Sequence, residues 1–240
     1  MALDPPWEVV TFLNFIGVQW PMINEDTVRD VATMIQQFTQ DVQNTHQDST
    51  NQIHAMSEAY QGASYETLVS QWEQRSNTHM TELTDVCNTI VTALHGFADY
   101  IVVQKGEAIV QLVALAVTFL AAQAAAVETF GLSELADLGL DELAEQAIKL
   151  LKELLQQYLM GKVIEAGFKL LAPAVERAVE GWIFNFVDGG APTGGGAVGK
   201  TIMVQPQLLA QHATAMEEYG RTMLSHAQGL QEKLSGVNFT

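Results

Sequence analysis

The chain has 240 residues, 48% of them hydrophobic and only 16% charged, with 11 basic residues against 28 acidic ones and a formal net charge of -17. That is enough apolar material for one large domain or two small ones. The acidic excess repels phosphate backbones and anionic membrane surfaces alike, so nucleic acid is excluded as a partner.

Residues 1–24 read as a lead-in. The apolar stretch from Trp7 to Ile16 predicts a short helix ending at Gly17, and Pro21 forces Trp20 into an extended conformation. No basic region precedes an apolar segment here, so no cleavable signal peptide is expected, and export would use a route that reads none. Asn24 or Asp26 caps the next element, where acidic residues favour the positive helix end.

Two long amphipathic arms follow, predicted at 25–59 and 64–104, with a tight break at Tyr60-Gln61-Gly62. The first carries its helical period on Val28, Val31, Ile35, Phe38, Val42, His46, Ile53 and Met56. Between Gln43 and Gln52 it is almost wholly polar, which predicts thin contacts, a projecting segment or a break. The second arm is the clearer one. Tyr65, Leu68, Trp72, Ser76, His79, Leu83, Cys87, Ile90, Leu94, Phe97 and Ile101 recur at steps of three and four, the spacing of a seam that faces a partner helix. Leu68, Trp72, Leu83, Ile90, Leu94 and Phe97 are its interface candidates. Cys87, the only cysteine, rules out an intrachain disulfide and reads as a core thiol, since Glu82 and Asp85 nearby oppose a reactive thiolate.

The character changes at 107–130. Ile109 to Val127 is an uncharged run long enough to cross a membrane. A buried central helix explains it equally well, and both readings stand at this point. If it inserts, Lys105 before it weakly favours a cytoplasmic N-terminal end. Acidic amphipathic helices follow over 132–158 and 162–187, then a glycine-rich linker over 188–205. A last amphipathic helix over 206–240, with Leu209, His212, Met216, Tyr219, Met223 and Leu230 on one face, reads as the first arm of a second hairpin whose return arm lies outside the chain. The expected organisation is therefore 1–105 for the lead-in and hairpin, 106–187 for an apolar helical region completing the bundle, 188–205 for the linker and 206–240 for the final helix. The fold class is all-α: a long antiparallel helical hairpin packed with further helices into an elongated bundle.

Chemistry is sparse. Gly194 to Thr201 matches the phosphate-binding pattern G-x-x-x-x-G-K-[ST] literally. Ile202-Met203-Val204-Gln205-Pro206 follows, so no helix opens at Lys200 to receive a phosphate, and the match is read as linker. There is no G-x-S-x-G, H-E-x-x-H or C-x-x-C. No two of His46, His54, His79, His95, His212 and His226 lie three or four residues apart. No catalytic residue, cofactor or metal is expected, and the chain is not read as an enzyme.

The hairpin with its Tyr60-x-Gly62 break, the lead-in Ile16-Gly17-Val18-Gln19-Trp20-Pro21 followed by Arg29, and the low-charge block behind the second arm together resemble the WXG-like N-terminal domains of actinobacterial polymorphic toxins, a group that includes the mycobacterial outer-membrane channel and necrotising toxins. The resemblance covers about residues 12–190. It implies that Tyr60 and Gly62 shape the hairpin turn, with Tyr in place of the family's Trp, and that Trp20 and Pro21 belong to the lead-in motif. The family's Tyr-x-x-x-Asp/Glu secretion signal would start at Tyr100, where Gln104 replaces the acid; the signal is then degenerate or supplied by a partner. A non-enzymatic targeting and partner-binding module follows, cytoplasmic before delivery by type VII secretion and then secreted or associated with the cell surface. Its partner would be a helical protein or a second copy. The competing readings are a membrane-inserting or pore-forming protein, through 109–127, and a self-assembling structural protein.

Overall fold

The computed structural model describes residues 3–20, 23–129, 142, 144–152, 171, 173–177 and 203–238. The order of elements is α1 (Trp7–Phe15), α2 (Glu25–Ala55), a single 3-10 turn (Met56–Glu58), β1 (Tyr60–Gln61), α3 (Ala63–Thr129), β2 (Met203–Val204) and α4 (Pro206–Ser235). Residues 144–152 and 173–177 are also helical. The protein is an all-α helical bundle. The expected helix 162–187 and linker 188–205 fall largely outside the described residues.

Two compact units form. Unit 1 holds residues 1–31, 93–166 and 237–240, and unit 2 holds 32–92 and 167–236. Both long helices run through both units. Through residue 105, α3 continues as one 67-residue helix. Lys105 and Gly106 are helical, and neither a proline nor a cap interrupts the ladder there.

In unit 1, α1 ends as its sequence predicts. Gly17 takes φ +71, and the Val18 N–H reaches back to the Leu13 carbonyl at 3.0 Å, closing a Schellman-type end. Asn24 caps α2, its Oδ1 accepting from the N–H groups of Asp26 and Thr27 at 2.9 and 3.2 Å. Val9, Phe12 and Leu13 of α1 pack with Ala108, Leu112, Ala116 and Phe119 of α3 and with Ala147 and Leu151. The ring centroids of Phe12 and Phe119 are 5.5 Å apart. Only one side of the uncharged run is therefore buried, and Val110 and Val117 on its other side are exposed. Lys105 is buried too, at 2.7 Å from Glu25, so it offers no cationic flank to a membrane.

In unit 2, α2 and the start of α3 pack antiparallel, with Trp72, Met80, Leu83 and Cys87 buried opposite Phe38, Val42 and Ile53. The polar stretch 43–52 does not fray or project. Its hydroxyls bond back along their own helix: Thr45 to the Asp41 carbonyl (3.0 Å), Ser49 to Thr45 (2.8 Å) and Thr50 to His46 (3.0 Å). Satisfied that way, Thr45 and Ser49 are buried without an orphaned donor. Within the unit, α4 runs back antiparallel to α2. Val204 pairs with Tyr60 and Met203 with Gln61. His212 meets Gln52 and His226 meets Thr45 further along.

Candidate partner-binding surface

Among the predicted turn residues, Gly62 has φ +134, a region closed to residues with a Cβ. Tyr60 is half-buried in the two-residue ribbon with β2. The residue that locks the turn is Tyr65, whose hydroxyl points at the carbonyls of Ile53 and His54 at 3.3 and 3.2 Å. Those carbonyls belong to the last turn of α2, where no intrahelical donor remains. Trp20 is half-buried against the unit 1 core, and its indole N–H is buried without a hydrogen-bond partner among the described residues. Pro21 lies outside the described residues. Tyr100 is exposed on α3.

The six seam candidates all face inward. Trp72 and Leu83 are buried in unit 2, with Leu68 and Ile90 half-buried there, and Leu94 and Phe97 are buried in unit 1. The seam packs within the chain, with Leu68 and Ile90 still partly accessible.

Trp72 anchors a polar layer in unit 2 that the sequence reading missed. Its Nε1–H donates to Thr50 Oγ1 at 3.0 Å, and its ring stacks on His46 with centroids 5.8 Å apart. His46 Nε2 lies 2.7 Å from Ser76 Oγ, and burial pushes its pKa below the ordinary histidine value. On the α4 side, Thr45 Oγ1 donates its hydrogen bond to the Asp41 carbonyl, which leaves the oxygen to accept from His226 Nε2, 3.0 Å away. His212 Nδ1 bonds Gln52 at 2.6 Å, while its Nε2 is buried without a partner among the described residues. Polar residues scattered at i, i+4 were the only signal of this layer, and that spacing does not distinguish a buried network from a solvated face.

Burial pushes the Cys87 thiol pKa up, against a smaller opposing effect of a hydrogen bond with Thr39. Two open clefts line unit 2, one walled by Met34, Phe38, Asp41, His226, Leu230 and Lys233, the other by Gln43, His46, Asn77, Met80, Thr84 and Asp85. Among the described residues no group of three or more His, Cys, Asp or Glu is placed to hold a metal.

The sequence of these helices is matched by a known family. The family model described as the WXG100 like domain matches residues 4–138, more than half of the chain and the whole of α1, α2 and α3. The chain belongs to the WXG100-like family. No curated protein and no solved structure matches the chain. WXG100-like domains are helical modules related to type VII secretion, and they typically form hairpin dimers with partner proteins. The membership suggests export and accounts for an architecture made of packing surfaces.

Proposed function

We propose that this WXG100-like chain is a non-enzymatic targeting and partner-binding module of a type VII secreted, toxin-like protein. The observation that carries the reading is the family match over α1 to α3, on a fold whose buried polar groups serve helix packing. Tyr100, exposed on α3, supplies the aromatic half of the export signal, and a partner chain supplies the acid that Gln104 lacks. A co-expression experiment tests this. The full chain and a small WXG100-like protein encoded beside it should co-purify as a complex of fixed stoichiometry. Separate elution of the two in every such pairing sinks the partner-binding reading.

One observation favours a second reading. Within Ala63–Ala121 of α3, an 18-residue window reaches mean hydropathy 1.5 with only 28% of it buried. Such a helix has the length and composition to enter a bilayer. Flotation with zwitterionic liposomes separates the readings, since a membrane-inserting chain rises with the lipid and a protein-binding module stays behind.

A further inference from the structure

The outward face of α3 in unit 1 carries a regular apolar stripe. Val103, Val110 and Val117 are 54%, 72% and 55% exposed and stand seven residues apart. Ala114 and Ala121, also exposed, lie four residues beyond the second and third of them. This is an a/d alternation of valine and alanine. A straight α-helix drifts by about 20° per heptad, so a stripe held strictly at seven follows a left-handed supercoil and fits one helix lying along it. Small side chains at the second position leave room for large ones from the facing helix.

Charge narrows the occupant. The only ionisable side chain from 106 to 127 is Glu107, exposed and in register with the alanines. A lipid surface is held by amphipathic helices with lysine and arginine flanking the apolar face, and this face has none. A second copy packed in parallel would set Glu107 against its own counterpart, on a chain whose net charge is already -17. A helix from a different chain, with large aliphatic residues at a and d and a basic residue opposite Glu107, satisfies both features.

We propose that Val103, Val110 and Val117 form the docking stripe for one basic amphipathic helix of a different protein. The proposal rests on the partner-binding reading and assigns it a face and a chemistry. The probe is a four-heptad peptide with leucine at a and d and lysine at e and g, titrated against the full chain by calorimetry and circular dichroism. Binding at one peptide per chain with a gain of helix is expected. Val110→Gln together with Val117→Gln should weaken it about tenfold or more, and Glu107→Lys should turn the preference towards the glutamate-flanked peptide. Both positions are exposed, so an unchanged melting curve certifies the variants as folded. Binding that the glutamines leave intact, or equal binding of lysine- and glutamate-flanked peptides, overturns the proposal. A dimer of the chain that the glutamines dissolve, or vesicle binding that they abolish, assigns the stripe to a second copy or to lipid and overturns it equally. If the neighbouring WXG100-like protein still co-purifies with the Val110/Val117 variant, the partner-binding reading stands and this stripe is not its site.

Discussion

Glu25 and Lys105, 80 residues apart in the chain, meet at 2.7 Å with both side chains buried in unit 1. The backbone N–H of Leu3 donates to the other Glu25 oxygen, so the carboxylate is held on two sides. The pair sets the register of α2 against α3 in that unit. Removing one partner strands a buried charge, which costs about 3–5 kcal/mol, whereas replacing both by apolar residues of similar volume is close to neutral. Lys105→Met should therefore lower the denaturation midpoint sharply, and adding Glu25→Leu should recover most of the loss.

The same carboxylate contributes at the acid limb. Burial alone raises the Glu25 pKa, but the hydrogen bonds from Lys105 and the backbone and the lysine charge outweigh it, so the folded-state value is lowered. The resulting stability is present above the unfolded-state value and is lost as pH falls through the lower folded one. Glu25→Gln should remove this dependence, leaving melting temperatures flatter below about pH 4.3.

His46 acts in a higher window with the same sign. Its pKa is lowered by burial, so the unfolded chain takes up the proton first. Stability is complete above the unfolded value of about 6.5 and declines as pH falls towards the folded one. His46→Gln should flatten the dependence of the melting temperature on pH across that interval, read by circular dichroism.

Two glycines among the described residues take positive φ, and they differ in kind. Gly17 sits at +71 with nothing within 4 Å of a would-be Cβ, so Gly17→Asn should be nearly silent. Gly62 sits at +134, where no side chain is at ease, and Gly62→Ala should cost about 1–3 kcal/mol in urea titrations.

Cys87 is buried and its pKa raised by that burial. Alkylation by a maleimide should be slow in the native protein and fast in denaturant, and its rate should track unfolding. Rapid native labelling would contradict the packing of the second arm.

The helical seam was legible because one face had to be apolar at every turn. None of the eleven residues from Tyr65 to Ile101 placed on it is exposed. The ends were legible where a single residue decides them, as Asn24 and Gly17 do. What escaped was what depends on contacts distant in sequence. Nothing local announces that Glu25 will meet Lys105, or that the hydroxyls of Thr45 and Ser49 will satisfy themselves and be buried. The return of α4 onto α2 was hidden for the same reason, since an amphipathic helix does not state which face it will cover. The valine stripe at 103, 110 and 117 was present in the sequence, but its meaning required knowing that the opposite side of α3 is already filled.

The central claim is that this chain is carried by type VII secretion, and quantifying it in the culture medium of its host tests that most directly. With the secretion apparatus intact the protein should accumulate in the medium or at the cell surface, and with the apparatus deleted it should remain inside the cell at undiminished total level. Unchanged release from the deletion strain, without cell lysis, would contradict the account.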